Sequence, residues 1–308
     1  MQFTYKKVEV EYLKIGIIGA GAIGLLFGAY LAEENHEILF YVRGNKKIAN
    51  LYIEKIPNVP EPITCMQVSE IKALYSMDLI VLAVKYHHLE QLKKDLDILP
   101  KHIPLLFVQN GLLHLSFIDQ LKQSTIAIAS VLHGAMKVNE YTVRHLGIGI
   151  TSIGILRGVW DKTDAFLQCS TNNFPIKFTT QIEETLFKKA LLNCLINPLT
   201  TILQVENGML IKNESYKKIL KNIYEELMEA FEEWREKLTW NEVVNLCKNT
   251  ENNRSSMLTD YENGRLMEVN TIVGAVIAEA GKKDKVLPVL HTFYLMLKEL
   301  NKVGDRHY

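Results

Sequence analysis

The regular patterning of the chain begins at Leu13, where an apolar run meets a glycine-rich turn, continues as an apolar-periodic segment to Glu34 and then gives the short run EILFYV. That order predicts strand, turn, helix, strand. Further near-continuous apolar runs at 78–84, 104–109 and 125–131 predict strands of a sheet covered on both faces, because a strand with one wet face would alternate instead. TVRHLGIGITSIG, from Thr142, does alternate, and it predicts a hairpin that closes the sheet edge. From about Ile182 the signal changes to helical periods, as in YKKILKNIYEELMEAFEEWREKL and EVNTIVGAVIAEAG. The expected architecture is α/β, with a doubly wound sheet over 1–181 followed by an all-α domain over 182–308.

Within the helical half, KKALLNCLINPLT (188–200) interrupts an apolar run with Lys189, Asn193 and Asn197 at i, i+4 and i+8. Each step of four drifts only about 40° around a helix, so the three side chains share one face. An arbitrary triplet of this kind reads as the solvated edge of an amphipathic helix. Here the neighbours are Ala190, Leu191, Leu192, Cys194, Leu195 and Ile196, and a buried amide or ammonium without a partner costs about 1–3 kcal/mol or more. Something polar is therefore expected to meet the ridge. Pro198 removes the hydrogen bond to the Cys194 carbonyl and bends the chain beside it. Two more polar clusters follow, ENGML with Asn207 and ENNRSSMLTDYENGRLMEVN with Asn253, Ser256, Asp260 and Glu268. Each alone reads as a cap or a turn, and spacing does not show whether they converge.

Composition narrows the function classes. Lys plus Arg and Asp plus Glu balance at 35 each, which argues against wholesale binding to nucleic acid or to an anionic membrane. The four cysteines stand far apart with no metal-ligand spacing, so no metal site is expected and all four read as reduced, as in a cytoplasmic protein. No stretch reaches the roughly 18 uninterrupted apolar residues of a membrane span.

The turn Gly19-Ala20-Gly21-Ala22-Ile23-Gly24 is a GxGxxG pattern between a strand and a helix, and in that setting each glycine has a mechanical task. Gly19 permits the tight turn, Gly21 admits a pyrophosphate to the backbone N–H groups, and Gly24 allows close packing of the helix. A Rossmann-type dinucleotide site is the reading. At the end of the second strand, where Asp or Glu would bind the ribose hydroxyls of NAD, the chain has Arg43, followed by Lys46 and Lys47. A guanidinium there suits a 2′-phosphate and points to NADPH, the alternative being an exposed basic turn. Lys85 and Asn110 follow two of the apolar strands, at the carboxyl ends where open α/β sheets bind ligands.

GAGAIG, VKYHH, QNG, HGA, KALLNCLINPLT, ENG and NRSSMLTD with GRLMEVN together resemble the ketopantoate reductase family over nearly the whole chain from Leu13. The resemblance implies an NADPH-binding Rossmann domain, an all-helical domain, an active site in the cleft between them, and reduction of 2-dehydropantoate to pantoate. It also implies roles at matching positions. Lys189 matches the catalytic lysine, with Glu268 as its partner; Asn193, Asn197, Asn207, Asn253 and Ser256 match substrate-binding positions. Asn110, Lys85, Ala135 and Glu268 match positions at or near the cofactor, Asn110 also facing the substrate. Glu268 beside Lys189 is expected to help keep the lysine charged. A small 2-oxo acid is the implied partner, and a homodimer is compatible with the sequence.

Departures from the family pattern, those at Leu112, Leu113 and Met267 above all, keep a sibling reductase of another 2-oxo acid in view. Leu112 and Leu113 follow Gly111 where the family usually has Met-Gly, which removes a glycine-dependent backbone shape; Met267 stands where a threonine is common, and Asn270 where an Asp is usual. A non-catalytic NADPH-binding sensor on the same fold is the rival from another class, and retention of Lys189 and Glu268 argues against it. The twelve residues ahead of Leu13 read as an extension that frays, or as a translation artefact ahead of a start at position 13.

Overall fold

The structure, a computed structural model, describes residues 11–42, 51–55 and 59–304. They form two compact units: 1–109 with 117–182, and 110–116 with 183–308. The short segment from Asn110 thus belongs with the helices that follow it much later in the chain.

The first unit contains β1 (Lys14–Ile18), α1 (Ala22–Glu33), β2 (Glu37–Tyr41), β3 (Leu51–Lys55), β4 (Val59–Ile63), β5 (Met66–Val68), β6 (Leu79–Leu82), α2 (Leu89–Asp97) and β7 (Leu105–Phe107). After α3 (Leu113–Ile118) it resumes with β8 (Ile126–Val131), β9 (Gly134–Lys137), β10 (Thr142–Gly147), β11 (Thr151–Arg157), α4 (Thr163–Leu167) and β12 (Ile176–Phe178). The main sheet has the order β12-β11-β8-β7-β6-β1-β2-β5. Its strands run parallel except where β11 pairs antiparallel with β8. β1, β6, β7 and β8 are buried almost throughout, as their unbroken apolar sequences require. This is the expected doubly wound sheet.

TVRHLGIGITSIG is not a hairpin. β10 pairs with β9 and β3 in a separate four-stranded sheet, β4-β3-β10-β9, whereas β11 crosses to the main sheet beside β8. The edge of the main sheet is β12 instead. Alternation identified two strands correctly but carries no information on their partners. The small sheet was not foreseen either, because β4 (VPEPI) contains Pro60 and Pro62. An edge strand tolerates proline, and β4 is an edge.

A buried polar relay lies behind α1. Tyr30 Oη is 2.7 Å from His145 Nδ1, and His145 Nε2 is 3.1 Å from His133 Nδ1, which also accepts from the Gly149 N–H. Phe174 stacks on both Tyr30 and His133. The arrangement needs neutral rings, with Tyr30 and His145 each donating one proton down the line. Burial, reinforced by the neighbouring His145, holds His133 down to about 4, and burial lowers His145 and His36 as well.

The second unit is built from α5 (Ile182–Leu203), α6 (Met209–Lys212), α7 (Glu214–Ala230), α8 (Trp240–Asn249), α9 (Ser256–Glu262), a π-helical turn (Asn270–Gly274), α10 (Ala275–Gly281) and α11 (Pro288–Gly304). The starts of α7 and α8 are capped by side chains: Asn213 accepts from two backbone N–H groups at α7, and Thr239 with Glu242 forms a capping box at α8. Among the described residues no helix is long and apolar enough to cross a membrane, and no group of three or more His, Cys, Asp or Glu could hold a metal ion.

The buried histidines bind protons less readily in the fold than in the unfolded chain, so unfolding takes protons up in acid. Stability should be fully present above the ordinary imidazole value of 6.5 and fall as the pH drops toward about 4. Melting temperature measured across this window checks it. His133→Asn should remove part of the slope, and an unchanged slope would show that His133 does not contribute.

Candidate functional site

In the first unit, Gly19 has φ +111°, a conformation that L side chains rarely adopt. A Cβ on Gly24 would lie 2.0 Å from the Gly19 carbonyl oxygen, so this glycine lets α1 start against the turn itself more than against the sheet. α1 begins at Ala22 and Ile23 with neither a side-chain cap nor an acidic residue in its first turn, leaving its N-terminal N–H groups available to an anion. Beside this turn, at the carboxyl ends of β1 and β2, is a cavity of about 380 Å³ lined by Gly19, Ala20, Tyr41, Val42, His88 and Gln91, among others. A dinucleotide fits this donor set: backbone N–H groups for its phosphates and a partly apolar cavity for its base. Lys85 precedes the 3₁₀ turn Tyr86–His88, and Ala135 lies on β9 opposite His145. Arg43, Lys46 and Lys47 lie outside the described residues, as does most of the N-terminal extension. Of that extension, Tyr12 donates to Glu37 and Glu11 pairs with Lys162.

Sequence reading missed Lys137. Its ammonium donates to the Ala20 carbonyl at 2.9 Å, tying β9 to the glycine turn. The only signal was its place two residues after Ala135.

In the second unit, Lys189 of the α5 ridge meets a polar partner. Lys189 Nζ donates to Asn110 Oδ1 at 2.7 Å, and Asn110 Nδ2 is 3.5 Å from Glu268 Oε2. One amide thus stands between ammonium and carboxylate, offering its oxygen to the first and its N–H to the second. Burial pushes the Lys189 ammonium down to about 8, opposed by the Glu268 carboxylate. The expectation that Glu268 favours the charged form holds in direction, but desolvation is the larger effect. At neutral pH the group still carries its proton. His114, in the first turn of α3 and buried, is held down to about 4 by burial and by the charge of Lys189, so it stays neutral beside the ammonium. No role had been read for it.

Gly111 makes this meeting possible. It has φ +75°, and a Cβ there would lie 2.0 Å from the Thr271 carbonyl oxygen, the same oxygen that accepts the Leu112 N–H. Leu113 opens α3 and does not take the left-handed backbone conformation.

Further along α5, Asn197 is buried and its Nδ2 has no hydrogen-bond partner among the described residues. Thr200, one turn on, places its Oγ1 2.8 Å from Ser255 Oγ, the N-cap of α9. That contact brings the start of α9, with exposed Ser256, beside the end of α5. Asn207 is joined to the same region, its N–H donating to the Asn253 carbonyl and its Nδ2 to Thr250 Oγ1, while its buried Oδ1 has no partner among the described residues. The Asn253 side chain is exposed and Asn193 is half-buried. Asn197 Nδ2 and Asn207 Oδ1 are thus a buried donor and a buried acceptor without a partner among the described residues.

Two family models match the chain: Ketopantoate reductase PanE/ApbA over residues 15–158, and Ketopantoate reductase PanE/ApbA C terminal over 181–301. A 2-dehydropantoate 2-reductase of Listeria innocua is 33% identical over 305 residues, covering 96% of this chain and 98% of the relative. The crystal structure of a probable 2-dehydropantoate 2-reductase from Bacillus subtilis matches with a TM-score of 0.80 at 29% identity, covering 94% of this chain and 100% of that one. A D-mandelate dehydrogenase solved with NADH and anilino(oxo)acetate shares the fold, with a TM-score of 0.81 at 23% identity over 95% of this chain and 99% of that one.

Gly111→Ala combines a strained φ with a clash against backbone, and should destabilise the chain by about 1–3 kcal/mol. Chemical denaturation measures this directly. A denaturation midpoint equal to that of the unaltered chain would contradict the packing described.

Proposed function

The chain belongs to the ketopantoate reductase family of nicotinamide-dependent oxidoreductases, and on that premise we propose that it reduces 2-dehydropantoate to pantoate with NADPH, a step of pantothenate and coenzyme A synthesis. The observation that carries this reading is the Lys189, Asn110 and Glu268 arrangement, an acid with its proton affinity drawn toward neutrality and a carboxylate opposing its full loss. Perturbation by burial together with a specific charge partner is characteristic of functional sites.

The nicotinamide of a dinucleotide held at the glycine turn would supply the hydride. As the substrate's carbonyl oxygen gains negative charge, the Lys189 ammonium stabilises it and then delivers a proton. A value of about 8 suits that task, because the group is protonated at neutral pH and yet gives its proton up readily. Asn110 holds the ammonium in place through its Oδ1. Asn193, Asn197 and Asn207 take the substrate's hydroxyl, and Asn197 and Asn207 gain the partners that their buried amide atoms require. Ser256 and Asn253, both exposed, hold the carboxylate. The glycine turn with Lys85 and Ala135 binds the dinucleotide, and residues 1–181 and 182–308 accordingly serve cofactor and substrate. Arg43 with Lys46 and Lys47 provides the positive charge for a 2′-phosphate.

Lys189→Ala should bind NADPH normally and lose turnover by about 100-fold or more, since the ammonium acts on charge that develops only in the transition state. Steady-state rates with a cofactor titration check it, and turnover within a few-fold of the parent would remove Lys189 from the mechanism. Arg43→Ala should weaken NADPH far more than NADH in parallel fluorescence titrations. Equal weakening of both would count against the 2′-phosphate assignment.

A further inference from the structure

Glu268 lies in an irregular stretch between α9 and the π-helical turn, outside any helix or strand. The residues on either side are gripped. Asn301 Oδ1 accepts from the Met267 N–H at 2.8 Å, while Asn301 Nδ2 reaches the Met267 carbonyl at 3.4 Å. Tyr294 Oη donates to Asn270 Oδ1 at 2.9 Å. Tyr294 and Asn301 are seven positions apart on α11, within about 20° of the same helix face. A single face of one helix therefore fastens the residue before Glu268 and the residue two after it.

The π-helical turn completes the fixation. The Glu268 carbonyl accepts from Thr271 Oγ1 at 2.9 Å and from the Ile272 N–H at 3.2 Å. The Thr271 carbonyl accepts from the Leu112 N–H, and the Ile272 carbonyl from Cys194 Sγ. The same short segment is thus bonded to the loop that carries Asn110 and to the helix that carries Lys189.

We propose that Asn301 and Tyr294 are positioning residues, holding Glu268 against Asn110 so that its carboxylate acts on Lys189. Neither touches the reacting groups; both work through the backbone and the Asn270 amide. The proposal rests on the reading that Glu268 opposes deprotonation of Lys189. Asn110 accepts from the ammonium, the Glu268 carboxylate opposes its deprotonation, and His114 is a neutral neighbour. Displacing the Glu268 carboxylate removes a charge that opposes the effect of burial.

The test uses the full chain without cofactor, its lysines labelled with ¹³C at Cε, and the Lys189 resonance assigned by its disappearance in Lys189→Ala. In the parent chain its midpoint is expected at about 8. Asn301→Ala and Glu268→Gln should each lower the midpoint by about half a unit or more. Tyr294→Phe, which keeps the ring and removes only the hydroxyl, should lower it by less. The alkaline limb of kcat should move the same way, with kcat for Asn301→Ala down about tenfold and KM little changed. If Asn301→Ala does not fold, Tyr294→Phe decides. A shift in Glu268→Gln with none in the two α11 variants overturns the positioning role and leaves the Glu268 reading standing. No shift in any of the three overturns both, and a lowered melting temperature without a shift shows a structural role only.

Discussion

Lys189 carries its ammonium into a helix whose neighbouring positions, Leu186, Ala190 and Leu191, are almost completely buried. A charge so placed must be answered by polar groups brought from elsewhere in the chain, and the second unit is arranged around that requirement. Asn110 answers it directly. To reach Lys189, Asn110 must leave the end of β7, and Gly111 allows the turn by pressing its backbone onto the Thr271 carbonyl. Thr271 in turn belongs to the π-helical turn that follows Glu268, whose wider hydrogen-bond spacing frees carbonyls for partners outside the helix. The segment 110–116 consequently packs with the helices of the second unit.

Burial acts on every ionisable group in the same sense, disfavouring the charged form, but the outcomes differ. His133 and His114 begin near 6.5 and are driven to about 4, so they remain neutral and serve as hydrogen-bonding or packing groups. Lys189 begins at 10.5 and is driven to about 8, which leaves it charged at neutral pH yet able to part with its proton. The first unit uses neutral rings to join α1 to its small sheet; the second keeps a positive charge in a buried setting.

The departures from the family pattern fall where side chains matter less than backbone. Leu113 takes up a helical position that any residue can adopt, and Leu112 contributes its N–H. Met267 is likewise held by its backbone, through Asn301. Asn270 accepts from the Tyr294 hydroxyl, a bond for which its amide oxygen is sufficient.

Periodicity in the sequence was enough for the doubly wound sheet, the glycine turn, the change to helices near Ile182 and the shared face of Lys189, Asn193 and Asn197, because those features depend on residues within about one helical turn or one strand of each other. The family resemblance supplied Glu268, Asn110 and the other polar positions as names without geometry. The small sheet, the separation of β10 from β11, the Asn110 bridge and the grip of α11 on the neighbours of Glu268 were decided by tertiary structure alone. Asn110 is 79 residues from Lys189 and 158 from Glu268. Over such separations a linear pattern states which groups need partners, while the choice of partner follows only from how the chain packs.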